Sequence, residues 1–191
     1  KEISILLKKT SIPTRKECLS LMNRQGMLPN IVRHSFVVEK VAVFLTRALI
    51  KSGQFLNLSE ISAAALLHDI TKTRSIKTHE NHALSGEALL KKVGYPRIGE
   101  IVRYHIDIPA RIIKGPISPE EIVNYADKRV LHEDIVTLKE RFQDLINRYG
   151  VTQVACFRLK KLEKQSYQIE RKIFTEIDFS PEILPTLIEK K

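Results

Sequence analysis

The adjacent pair His68-Asp69 is the clearest sign of chemistry in this chain of 191 residues. It ends the most apolar helical segment of the sequence, Ala63-Ala64-Ala65-Leu66-Leu67, where packing gives no reason for two polar side chains. Burying an imidazole or a carboxylate is costly unless it is paired, hydrogen-bonded or bound to a metal. A divalent cation would partner both side chains at once, so the pair predicts a metal site.

Four further groups that could bind a metal lie on separate predicted helices: His34, His82, His105 and Asp127. Neutral imidazoles combined with carboxylates suit Fe, Mn, Zn, Co or Ni better than Ca or a thiolate-bound metal. One ion could be held by four of the candidates: His34, His68, Asp69 and Asp127. Adding His82 and His105 gives six ligands, which would hold two ions bridged by Asp69.

Helices must position these groups, because helical periodicity dominates and no stretch alternates apolar and polar residues for long enough to require a sheet. The predicted helices are 15–23, 31–49, 61–70 with Ser59 as N-cap, 81–93, 97–105, 118–149 and 151–174. Ser118, Pro119 and Glu121 form a strong helix start. Residues 72–78 are expected to be a polar, basic connector, and residues 109–116 a long loop. The sequence therefore predicts an all-α protein.

Three parts of the chain differ in character: an N-terminal helical flank at 1–28, a core of roughly five helices at 29–150, and a basic helical extension at 151–191. The last predicted helix carries six cationic residues: Arg158, Lys160, Lys161, Lys164, Arg171 and Lys172. This basic stripe could be a solvated face, an RNA-binding surface or a contact with a second subunit.

Composition excludes several classes of protein. With 43% apolar and 28% charged residues, the chain is neither disordered nor a disulfide scaffold. Its net charge of +10 makes anionic partners plausible. The longest apolar runs are too short to cross a bilayer, and no small-residue cleavage site follows Lys8-Lys9 as a signal peptide requires. The two cysteines are expected to be reduced, so we expect a cytoplasmic protein without membrane contact.

The order and local strings of the candidate ligands resemble the HD superfamily of metal-dependent phosphohydrolases, of the HDIG type. Residues 64–72, which contain His68-Asp69, resemble that family's HD segment, with Thr71 in place of its usual glycine. Residues 82–90 resemble the third-His segment of the two-metal branches. Arg103-Tyr104-His105 resembles the fourth-His segment of the hydrolases that split diadenosine tetraphosphate symmetrically. Residues 125–128, with Asp127, resemble the closing Asp motif.

This resemblance implies an HD-domain helical bundle that hydrolyses a phosphoester or phosphoanhydride of a nucleotide or small phosphorylated metabolite. It also implies that the six candidates bind metal, with two ions expected, and Fe or Mn ahead of Co, Ni and Zn. Asp69 and Lys72 are the catalytic candidates. Four residues near the ligands are candidates for holding substrate: Lys72, Arg103, Lys128 and His79.

Two other functions stay open from the sequence. The domain could be regulatory, binding a nucleotide with little or no turnover, or the basic extension could associate with RNA. Only 6% of the residues are aromatic and none is Trp, which leaves few side chains for base stacking and disfavours nucleic acid as a partner. A homodimer is a further possible assembly.

Overall fold

The computed structural model of the protein describes residues 12–189, which are helical almost throughout. The helices are α1 (Arg15–Arg24), α2 (Pro29–Lys51), α3 (Leu58–Leu67), α4 (Lys72–Thr78), α5 (His82–Lys92), α6 (Pro96–Arg103), α7 (Ala110–Ile113), α8 (Pro119–Lys128), α9 (Leu138–Tyr149), α10 (Gln153–Phe174) and α11 (Leu184–Glu189). Strands β1 (Val130–Leu131) and β2 (Asp134–Ile135) pair antiparallel, and a 3₁₀ turn at Pro181–Ile183 precedes α11. The predicted all-α class is confirmed. Residues 1–11 and 190–191 of the two predicted flanks lie outside the described part.

The apolar helix α3 lies at the centre of the bundle and packs against α1, α2, α6 and α8. Its residues from Ala63 to Leu67 are all buried. Helix α2 faces it with Val38, Val41, Ala42, Leu45 and Leu49, each of which is fully buried. Helices α5 and α6 pack against each other on one side of this centre.

Side-chain caps fix where several helices begin. The predicted start of α8 is confirmed, since Ser118 accepts from the backbone N–H of Glu121 and Glu121 accepts from that of Ser118. The predicted N-cap of α3 is wrong by two residues. Asn57, not Ser59, caps this helix, because its side-chain oxygen accepts from the N–H groups of residues 59 and 60.

Three predicted segments differ in the structure. Residues 72–78 form helix α4 rather than a connector, and residues 109–116 include the short helix α7. The predicted helix 118–149 is two helices, because the chain turns at β1 and β2 after α8. Arg129 donates to the Val136 carbonyl at 2.6 Å and holds this turn closed.

The C-terminal helices pack onto the same core. Lys172 on α10 donates to both carboxylate oxygens of Glu121, at 2.7 and 2.9 Å, and Glu121 is fully buried. Arg129 also donates to the hydroxyl of Tyr125 and to the Pro181 carbonyl. These contacts fix α10 and the segment before α11 against α8. Within residues 12–189, no helix is long and apolar enough to cross a membrane.

Candidate metal centre

Five separate elements place the six candidate ligands at one end of the bundle. His34 lies in the second turn of α2, and His68-Asp69 follows the last residue of α3. His82 is the first residue of α5, after Asn81 has capped that helix. His105 lies just beyond α6, and Asp127 is in the last turn of α8. Helix ends thus carry these side chains to a common point.

The first group of possible ligands consists of His34, His68 and Asp127, all buried. Asp127 Oδ1 lies 3.1 Å from His34 Nε2 and 3.6 Å from His68 Nε2. The candidate donor atoms of the three residues lie within 4.8 Å of one another, which is close enough to share one ion. We call this group triad 1.

The second group consists of Asp69, His82 and His105 and is called triad 2. Asp69 Oδ1 lies 3.2 Å from His82 Nε2 and 3.6 Å from His105 Nε2. The other oxygen of the same carboxylate, Oδ2, lies 3.3 Å from His68 Nε2 in triad 1. Asp69 therefore touches both triads, one with each oxygen.

Backbone carbonyls fix which ring nitrogen faces the centre. The Nδ1 atoms of His34, His68 and His105 lie 2.9, 2.8 and 2.7 Å from the carbonyl oxygens of His132, Ala65 and Val102. A carbonyl only accepts, so each Nδ1 carries the hydrogen that it donates. Nε2 of each ring is left pointing at the centre, as in metal sites whose histidines are oriented by a carbonyl behind them.

This arrangement crowds polar ligand atoms together. The Nε2 atoms of His34, His68 and His82 face carboxylate oxygens, and the Nε2 atoms of His82 and His105 lie 3.1 Å apart. His68 Nε2 and Asp69 Oδ1 are buried and lack a hydrogen-bond partner. Buried acceptors packed together need positive charge between them. The residues therefore fit divalent cations, one at each triad.

The charges of the centre respond to this crowding. Burial opposes ionisation of Asp69, but the positive charges of Lys72 and His68 hold its pKa well below the usual range. Burial likewise opposes protonation of His68, yet the carboxylates of Asp69 and Asp127 raise its pKa to about 9. Burial lowers the pKa of His105 to about 4. The centre thus holds ionised carboxylates and, at His105, a neutral imidazole suited to binding metal.

An open cavity of about 610 Å³ adjoins the two triads. Its lining includes ligands of both triads, namely His34, Asp69, His82, His105 and Asp127. The opposite wall is formed by α9 and α10, with Leu145, Tyr149, Leu159 and Leu162 among its apolar residues. This volume lies in the usual range for small-molecule sites.

The four predicted substrate residues have different surroundings. Lys72 lines the cavity, and its Nζ lies 2.7 Å from Asp69 Oδ2 with 37% of the side chain exposed. Lys128 also lines it but is buried, donating to Asp127 Oδ2 and to the His105 carbonyl. Arg103 points elsewhere and donates to Glu87. Neither Arg103 nor His79 is among the lining residues of the described chain.

Three cavity residues were missed by sequence reasoning: Arg141, Arg148 and Arg158. Arg158 was noticed only as part of the basic stripe, and the other two lie on a helix predicted to be continuous with α8. The available signal was Thr137 followed three residues later by Glu140, which forms the capping box that starts α9. A helix that begins there is separate from α8 and can run in a different direction, so its arginines can face the cavity.

Comparison with known families agrees with the site. The HD domain family matches residues 31–149, more than half of the chain. The chain therefore belongs to the HD domain family, whose members are typically metal-dependent phosphohydrolases. No curated protein and no solved structure matches it.

Proposed function

We propose that the protein is a phosphohydrolase that uses two divalent transition-metal ions to hydrolyse a phosphoester or phosphoanhydride of a nucleotide or small phosphorylated metabolite. The observation that carries this proposal is the pair of triads joined by Asp69, in which imidazole ring nitrogens face carboxylate oxygens. Six candidate ligands, one of them the carboxylate shared by both triads, support the two-metal HDIG branch that resembles the symmetrical diadenosine tetraphosphate hydrolases.

Triad 1 would hold one ion and triad 2 the other, with Asp69 contributing to both. Nitrogen and oxygen donors of this kind suit Fe or Mn, and also accommodate Co, Ni or Zn. When bound, such ions lower the pKa of water toward about 7 and stabilise the charge that develops on a phosphoryl oxygen. The net reaction adds water across a P–O bond.

The chain's own side chains position the reactants. Asp69 is fixed by Lys72, whose ammonium group is partly exposed in the cavity and can bind a phosphoryl oxygen as a point charge. Lys128 is buried behind Asp127 and holds that carboxylate in place. We therefore assign Lys72 to substrate binding and Lys128 to positioning a ligand.

Metal content and hydrolysis should be measured on the same preparation. Protein purified without added metal, and then loaded with Mn or Fe, should contain about two ions per chain and hydrolyse at least one member of a panel of nucleotides and phosphate esters. The double variant His34→Gln/His82→Gln, changed in both triads, is the matched control and should lose metal and activity together.

Two results would contradict the proposal. Metal-loaded protein that hydrolyses nothing in a broad panel would remove the enzymatic function. If it then bound a nucleotide tightly without forming product, the regulatory alternative would replace the proposal.

A further inference from the structure

The cavity is lined by more cationic side chains than the carboxylates of the two triads pair with. Five cationic side chains line it: Lys72, Lys128, Arg141, Arg148 and Arg158. Within residues 12–189, three carboxylates line it: Asp69, Asp127 and Glu133. The two lysines are bound to the carboxylates of the triads, and Glu133 is paired with Arg33 outside the cavity. The three arginines are therefore left on the wall formed by α9 and α10.

Arg141 is the best-defined member of this group. It is only 9% exposed, its Nε atom is buried without a hydrogen-bond partner, and its nearest carboxylate is Asp144 at 3.5 Å. Arg141 and Lys72 line the same cavity, so both cations face its interior. A buried guanidinium with a free donor, in a cavity that holds a second cation, favours an anion there.

Arg148 and Arg158 extend the positive wall toward solvent. Arg148 shares Asp144 with Arg141, so one carboxylate serves two arginines. The Arg158 side chain lines the cavity and forms no hydrogen bond or ion pair within residues 12–189. Guanidinium groups bind phosphate through two parallel N–H donors, which makes them the usual partners of phosphate groups.

We propose that Arg141, Arg148 and Arg158 form a second anion-binding subsite, which holds a phosphate group next to the one that is hydrolysed. This inference rests on the proposed function and narrows its substrate class to molecules with a chain of two or more phosphates. A simple phosphomonoester reaches the metal centre but leaves the arginine wall without an anion. A nucleoside diphosphate or polyphosphate occupies both.

Binding of imidodiphosphate tests the subsite, because its P–N–P bridge resists hydrolysis. Calorimetry on the Mn-loaded protein should show tighter binding of imidodiphosphate than of orthophosphate. Arg158→Gln and Arg141→Lys should each weaken the binding of imidodiphosphate by about 10-fold or more, the usual effect of losing a charge-assisted hydrogen bond. Lys160→Gln is the matched control, since Lys160 is an exposed cation on α10 that does not line the cavity. It should bind both anions as the parent does.

Kinetics on the same variants separates this inference from the proposed function. The ratio of kcat/KM for a nucleoside triphosphate to that for a nucleoside monophosphate should fall in Arg158→Gln and Arg141→Lys but not in Lys160→Gln. If both ratios and imidodiphosphate affinities were unchanged, the subsite would be wrong even though hydrolysis persisted. If the parent bound imidodiphosphate through these arginines but hydrolysed nothing, the subsite would stand and the proposed function would fall.

Discussion

If each triad holds one ion as proposed, replacing Asp69 by Asn should release both ions, whereas replacing one histidine should release only one. Asp69 is the side chain that touches both triads, with Oδ2 3.3 Å from His68 and Oδ1 3.2 Å from His82. His34 belongs to triad 1 alone and His82 to triad 2 alone. An asparagine keeps the size of the aspartate but removes its charge and offers one carbonyl oxygen in place of two equivalent carboxylate oxygens.

The size of each effect follows from the number of ligands. Structural zinc sites with four ligands bind their ion with a free energy of about 10–16 kcal/mol, or roughly 2.5–4 kcal/mol per ligand. Losing one ligand should therefore raise the Kd of an ion by about 100-fold or more. At a free metal concentration tenfold above the parent's Kd, occupancy should fall from about 0.9 to about 0.1 at each affected site.

Equilibrium dialysis against buffered Mn, followed by metal analysis, measures this directly. The parent should bind about 1.8 ions per chain, His34→Gln and His82→Gln about 1.0 each, and Asp69→Asn about 0.2. Lys72, which loses its partner in Asp69→Asn, is partly exposed and can turn to solvent, so urea unfolding should show that the variant still folds. An Asp69→Asn protein that keeps one full ion, or a His34→Gln protein that loses both, would refute the shared-carboxylate geometry.

Outside the candidate metal centre, three residues give further predictions. Gly99→Ala should lower the free energy of unfolding by about 1–3 kcal/mol in urea, because a Cβ there would lie 2.9 Å from a backbone oxygen of α5. Lys172→Met should lower the free energy of unfolding by about 3–5 kcal/mol at pH 7, since buried Glu121 loses its partner. Burial raises the pKa of Glu121, so the destabilisation should shrink as acid protonates this carboxylate. Burial raises the pKa of Cys18 to about 12, so it should resist thiol reagents that label Cys156, and stability should fall as pH rises above the unfolded thiol's value of 9.0.

Two of these predictions have a matched control variant, and for the third Cys156 serves as the comparison within the same protein. Gly86→Ala should cost less than Gly99→Ala, because its new Cβ would meet the Val102 side chain at 3.2 Å rather than backbone. Lys164→Met changes an exposed lysine on the same helix as Lys172 and should leave stability unchanged. For Cys18, labelling as fast as that of Cys156 in the folded protein would contradict the burial argument.

The sequence was most informative where burial and polarity conflict. A polar pair at the end of an apolar helix identified His68 and Asp69, and the structure brings these and the other four candidate ligands into two adjoining triads. Helices α2, α5, α6 and α10 were predicted to within a few residues, because their apolar periodicity and end signals agree. These features depend on local residues and on one face of one helix.

Features that depend on the angle between elements were not predictable in the same way. Helix α4 has a single apolar residue, Ile76, which is exposed, so no periodicity marks it. The sequence placed Arg158 on the last long helix. Whether its side chain lines the cavity depends on the angle at which α10 crosses α9. A basic residue on a solvated face and one on a cavity wall look alike in sequence.

The turn between α8 and α9 shows why an irregular segment can matter for the site. It contains no Gly, Pro or Asn to announce it, and His132 takes a left-handed backbone conformation with φ of 57°. The turn places the His132 carbonyl 2.9 Å from His34 Nδ1, and this contact directs the other nitrogen of His34 toward Asp127. A continuous helix through these residues would bond that carbonyl within the helix and leave His34 without an orienting partner. The cost of the left-handed conformation at His132 is thus offset by the hydrogen bond that orients His34. For this reason the helical pattern of the sequence is interrupted next to the candidate metal centre.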